Sequence, residues 1–210
     1  MALRTSTERR ILDAAEALFA TNGTIATPVD AVLERAGVSS ATLYRGFTSK
    51  EALLGAVLER RHRAWLACWD EAIDAATTPE GRILAVFDAL DAFRDRPAGS
   101  RWCAFLGAAA EHPHAPAEVA GAVRLDTDAL RTRLRDAAAE AGATDADALA
   151  EQLLLVITGD LAMRLRERVR DTATARAIAA ALVAAATGLS PSDPGSRSPA
   201  RSSAARTRTG

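Results

Sequence analysis

The 210-residue sequence is 49% hydrophobic and 25% charged with a net charge of -1, a balance that supports a packed core and excludes a disordered or fibrous chain. Alanine is abundant, aromatic residues make up only 4%, and apolar and polar residues rarely alternate, so an all-α fold is expected. Charge is uneven along the chain: residues 1–63 hold nine basic and seven acidic groups, residues 64–188 thirteen and nineteen, and residues 189–210 four and one. A basic end on an acidic body suits an anionic partner at one pole.

The first ten residues are polar and lack the apolar stretch of a signal peptide, and the longest apolar run, Ile178 to Ala186, is too short to span a bilayer. A cytoplasmic protein without a membrane partner is expected. Cys68 and Cys103 lie far apart, in no C-x-x-C pair, and read as reduced core thiols.

In the first helix, Ile11, Ala15, Leu18 and Phe19 recur at helical spacing while Glu8, Arg9, Asp13 and Glu16 take other faces; Asn22 and Gly23 stop it. Thr27, Pro28 and Asp30 announce a second helix, with the threonine as N-cap and the proline at the first helical position. Its buried face is Val29, Val32, Leu33 and Ala36. Gly37 then supplies a tight turn, and Ser39 caps a short third helix that ends at Gly46. Ser49 caps a fourth helix, with Leu54, Val57, Leu58, Trp65, Leu66 and Trp69 on its apolar face, running to about Ala76. Further helices are expected over residues 79–95, 101–111, 115–141, 145–170 and 172–188, between breakers such as Pro79, Pro97, Pro113 and Gly142. From Pro191 onward Ser, Pro, Arg and Thr replace the aliphatics, which predicts a disordered basic tail.

Two short helices joined by a glycine turn and braced by a third form the unit whose second short helix enters a major groove. Here that helix carries Ser40, Thr42, Tyr44 and Arg45, all able to hydrogen-bond base edges or phosphates, while Val38, Leu43 and Phe47 point at the core. The stretch from Val38 through Lys50 holds no acid, as a phosphate-facing surface requires; the alternative is a solvated helix of a bundle. Lys50, the only lysine in the chain, stands at a helix start, where a cation is disfavoured unless an anion binds there.

These residues resemble a known family. Ile11 to Phe19, Thr27 to Gly37, and above all Val38, Ser39, Ser40, Ala41, Thr42, Leu43, Tyr44, Arg45, Gly46, Phe47, Thr48, Ser49 and Lys50 look like the N-terminal domain of tetracycline-repressor (TetR) family regulators. The resemblance is close over about the first 60 residues and holds in outline beyond them. It implies that Thr27 and Lys50 contact phosphates and that Ser39, Ser40, Thr42, Tyr44 and Arg45 face the groove or its walls. Two residues depart from the pattern: Thr24 stands where an aromatic is usual, and Gly46 where a histidine or tyrosine often touches the DNA backbone. The first is expected to loosen packing around the first helix, the second to remove a phosphate contact.

For the body, the last two helices are apolar over much of their circumference. Leu153, Val156, Ile157, Gly159, Leu161, Ile178 and Leu182 are the candidate dimer interface, Gly159 allowing a partner helix to approach closely. A two-fold dimer sets two reading helices about 34 to 36 Å apart on a palindromic operator. Trp65, Cys68, Trp69, Phe87, Trp102, Phe105, Thr158 and Asp160 are candidates to line a pocket, since pockets join apolar walls to a few polar groups. Glu111, His112 and His114 lack a ligand spacing and read as a polar loop; no G-x-S-x-G elbow, P-loop or dinucleotide turn occurs.

The expectation is therefore an all-α chain: a helix-turn-helix domain over residues 1–48, a helical ligand-binding and dimerisation domain over 49–188, and a disordered basic tail over 189–210. The function read from it is DNA-binding transcriptional regulation: a homodimeric repressor on a double-stranded DNA operator, released by an unknown small-molecule effector, without cofactor, metal or enzymatic activity. Control by a protein partner, or a helical enzyme, are the alternatives.

Overall fold

Side-chain caps written in the sequence set four of the nine helix starts among the described residues. The computed structural model describes residues 3–96, 103–166 and 171–188. Among these the helices are α1 (Thr5–Asn22), α2 (Val29–Ala36), α3 (Ser40–Gly46), α4 (Lys50–Ala75), α5 (Pro79–Arg94), α6 (Ala104–Glu111), α7 (Ala117–Glu140), α8 (Ala146–Met163) and α9 (Ala173–Thr187). The Ser39 and Ser49 side chains accept from the Thr42 and Ala52 amides, and Thr78 and Asp145 do the same for α5 and α8. Trp102, Leu189, the rest of 97–102 and 167–170, and the expected disordered tail of 189–210 fall outside the described residues.

The start of α2 differs from expectation. Pro28, extended at φ -73°, holds the cap position, and Thr27 makes no cap. Its hydroxyl turns back to donate to the Gly23 carbonyl at 2.7 Å, with the Leu18 carbonyl at 3.4 Å. At the other end of α2, Gly37 adopts the left-handed conformation (φ 61°), and the Val38 amide donates to Leu33 O across the turn. The Arg10 guanidinium of α1 donates to the Ala36 and Gly37 carbonyls there. A cation thus sits at the negative end of the α2 dipole.

Two apolar cores form, and α4 belongs to both. Its first half supplies Leu53, Leu54, Val57 and Leu58 to a core with Ile11, Phe19, Val32 and Leu43, which Phe105 of α6 and Val119 of α7 complete. Its second half supplies Trp65, Cys68 and Trp69 to a core with Phe87, Leu134, Leu153 and Val183. The first core therefore crosses the expected boundary at 48/49. Asp13 and Glu16 of α1 are ion-paired to α4: Arg60 holds both, at 2.6 Å to Asp13, and Arg61 reaches Glu16 at 3.2 Å. No described helix is long and apolar enough to cross a membrane.

Leu43 is fully buried and anchors α3 to the first core. Leu43→Ala is expected to cost about 2–5 kcal/mol of stability, read as a lowered midpoint in urea unfolding; an unchanged midpoint contradicts this anchoring role.

Candidate nucleic-acid interface and ligand cleft

α3 divides its side chains as its helical period requires. Leu43 and the following Phe47 are buried, Ser39, Ser40, Tyr44 and Arg45 are exposed, and Thr42 is half-buried. The polar groups are joined: Ser39 Oγ lies 3.0 Å from Thr42 Oγ1, which also accepts from Arg45 Nη2 at 3.2 Å. This network holds the guanidinium along the helix face beside the 47%-exposed Tyr44 phenol.

Lys50 is the first residue of α4, where its charge opposes the helix dipole. Its ammonium donates to the Ile25 carbonyl at 3.1 Å, which uses one of its three donors and ties α4 to the α1–α2 loop. Thr27, paired with Lys50 in the sequence reading, is completely buried, so its hydroxyl cannot touch a phosphate as the side chain stands. The family's threonine was legible; the direction of its hydroxyl was not. At Gly46 an added Cβ would meet Leu3 Cδ1 at 2.1 Å, so the missing side chain leaves room for Leu3.

The same loop receives a residue that sequence reasoning set aside. Glu111 is the last residue of α6, not part of a loop, and one of its oxygens, Oε2, accepts from the Thr24 amide (2.7 Å), the Thr24 hydroxyl (2.6 Å) and the Ile25 amide (2.8 Å). His112 Nε2 lies 2.8 Å from the same hydroxyl. Thr24 thus does not loosen the packing: it is 6% exposed and fastened to the body. A chain of hydrogen bonds runs from Glu111 through residue 25 to Lys50. Partners this far apart in sequence left no local signal.

In the body a cleft of about 70 Å³ opens between α4, α5, α6, α7 and α8. Of the candidate lining residues, Trp65 and Phe105 are at this cleft, and Leu90, Phe93, Ile157 and Leu161 complete its apolar wall. Arg61, Arg94, Arg164 and Asp126 supply its charged groups, and none of these was foreseen. Cys68, Trp69 and Phe87 are instead buried core, and Thr158 does not line the cleft. Asp160 stands behind the wall, accepting from Arg164 Nε at 3.2 Å. Among the described residues no group of three or more His, Cys, Asp or Glu side chains is placed to hold a metal.

The outer faces of α8 and α9 also need redrawing. Leu153 and Ile157 are 1% exposed within the protomer's own core, so these two cannot form a contact face, while the half-buried Leu161 lines the cleft. Val156 and Leu182 are half-buried. Open to solvent are Leu155 (73%), Gly159 and Ala162 on α8 and Ile178 (50%) on α9; a Cβ added at Gly159 would meet nothing within 4 Å. Because α8 is apolar almost all round, its period alone did not say which apolar row faced outward.

Burial pushes the Glu111 carboxyl up, but the Thr24 hydroxyl and the Ile25 and Thr24 amides, with the charge of His112, outweigh it and hold the pKa below its ordinary 4.5. A depressed carboxyl contributes stability above the unfolded-state pKa and loses it as pH falls through the folded value. Wild type is therefore expected to exceed Glu111→Gln in thermal stability at pH 7, with the gap closing as pH is lowered below about 4.5; a gap independent of pH contradicts the ionised clasp.

Comparison with known proteins places this geometry. Residues 11–57 match the model of the bacterial regulatory proteins, tetR family. An uncharacterized HTH-type transcriptional regulator of Mycobacterium tuberculosis is 35% identical over 94 residues, 44% of this chain and 46% of that protein. The match thus spans under half the length of the curated relative. The crystal structure of a TetR-family transcriptional regulator from Streptomyces coelicolor is similar over 87% of this chain and 95% of its own, with TM-score 0.73 and 26% identity. A TetR transcriptional regulator from Streptomyces avermitilis matches over 89% of this chain and all of its own, with TM-score 0.74 and 28% identity. The N-terminal helices thus match the tetR family model over residues 11–57, and the fold as a whole is similar to that of these TetR-family regulators.

Proposed function

We propose that this protein is a DNA-binding transcriptional regulator, a repressor that binds a palindromic operator as a homodimer and is released by a small molecule held in the body. The observation that carries the reading is the exposed face of α3. It is hydroxyl-rich, bears the Arg45 guanidinium, and belongs to a stretch without acid from Val38 through Lys50. Ser40, Thr42, Tyr44 and Arg45 read base edges or groove walls, and Ser39 sits at the rim. Lys50 contacts a phosphate with the donors that Ile25 leaves free. Thr27 takes part by shaping the loop that presents Lys50, not through its hydroxyl.

The unpartnered outer faces of α8 and α9 support the homodimer. Leu155 and Ile178 are large apolar groups in water, and the bare Gly159 backbone between Leu155 and Ala162 lets a second copy come close. The cleft joins an apolar wall to a few charged groups, a lining that favours an effector over control by a protein partner. Release requires the effector to bind one arrangement of the body better than another. The Glu111 clasp gives such a difference a physical route to the reading head.

Lys50→Ala is expected to weaken binding to all DNA sequences and to lower the slope of log affinity against log salt by about one, whereas Thr42→Ala and Tyr44→Ala change which sequence is preferred. Selection from a random DNA pool, followed by salt titration, measures both; equal losses on selected and random DNA for all three variants contradict the assigned roles. Leu155→Arg is expected to sediment as a monomer, and an unchanged dimer shows that the interface lies elsewhere.

A further inference from the structure

Arg164, the C-cap residue of α8, lines the cleft with its side chain only 6% exposed. Its Nε donates to Asp160 Oδ2, but its Nη2, completely buried, has no hydrogen-bond partner. That nitrogen is 3.2 Å from the same Asp160 oxygen without hydrogen-bond geometry, and 3.8 Å from Asp91 Oδ1. Asp91 is already occupied: Arg94 reaches Oδ1 at 3.2 Å, and the Thr172 hydroxyl donates to Oδ2 at 2.6 Å. A buried guanidinium nitrogen left without an acceptor is costly and calls for a partner that enters from the cleft.

The other charged groups at the cleft narrow what that partner is. Arg61 and Arg94 line it with Arg164, and Arg61 also lies over the Phe93 ring at 5.1 Å. The one acid in the lining, Asp126, is engaged by His62 Nδ1 at 2.9 Å. Asp91 and Asp160 do not line the cleft, so its charged surface is chiefly guanidinium. Beside the cations stand Trp65, Leu90, Phe105 and Leu130, apolar groups with little to offer a polar ligand.

We infer that the cleft takes an apolar carboxylic acid, its carboxylate received by Arg164 Nη2 and its hydrocarbon or aryl body laid against Trp65, Phe93 and Phe105. A guanidinium fork matches the planar carboxylate, and the acids behind the wall leave room for a single negative charge in place of a phosphate's two. This rests on the effector reading above, and names the class of molecule that the site selects.

The test is calorimetry on the full chain with 4-phenylbutanoate and octanoate, against their primary amides and amines. The carboxylates are expected to bind about tenfold or more tightly than the amides, and the amines not at all. In an Arg164→Gln/Asp160→Asn double variant, which removes the cation without stranding its partner, the preference falls to within about twofold. Should the double variant fail to fold, as circular dichroism reveals, the comparison of acid with amide in the wild-type protein decides alone. Amides binding as tightly as acids, or no acid binding at about 1 mM, overturns the inference. Release of selected DNA is followed in parallel: amides that bind and release it overturn the carboxylate class and leave the regulator reading intact. Acids that bind with the expected preference but leave DNA affinity unchanged uphold the site and count against that reading.

Discussion

A 26-residue helix extends roughly 39 Å, longer than any one small core is wide, and α4 meets this constraint by taking part in two. Its first turns carry leucines and valine into the core beneath the reading helix; its later turns carry two tryptophans into the body. Between them lie Arg60 and Arg61, whose charges cannot join either core and are held by Asp13 and Glu16 of α1. Rotation or sliding of α4 in the body therefore acts on the packing beneath α3. The same helix begins at Lys50 and presents Arg61 and Trp65 to the cleft, so one rigid element bears both a proposed phosphate contact and part of the proposed effector site.

A second connection is polar. Glu111 gathers three donors from Thr24 and Ile25 onto one carboxylate oxygen, and Ile25 passes its carbonyl to Lys50. Phe105, nearly two turns earlier on α6, sits in the first core and also lines the cleft. A shift of this short helix would press on the apolar seat of the reading head and pull on the loop at once. Charge-assisted hydrogen bonds are directional, so such a motion has to carry the loop along or break them.

Local signals in the sequence were read well where the physics is local. Ser39 and Ser49 cap as their positions foretold, Gly37 takes the left-handed turn, and Leu43 and Phe47 face inward as the helical period requires. Thr27 failed because a hydroxyl beside a helix start has two nearby acceptor-rich or donor-rich ends to choose from, and it chose the end of α1. Leu153 and Ile157 failed because an almost uniformly apolar α8 offers no polar row to mark its outside. Glu111 and the guanidiniums of the cleft were out of reach for another reason: each acquires its meaning only from residues brought to it by the fold.

Arg10 bears on the cost of binding. By holding the Ala36 and Gly37 carbonyls from α1, it fixes the corner between α2 and α3 with a third helix, where glycine alone would leave a hinge. A surface that must order itself on its target loses part of its gain to conformational entropy. Here the angle of the reading helix is set before any encounter, and that entropy has already been lost in folding.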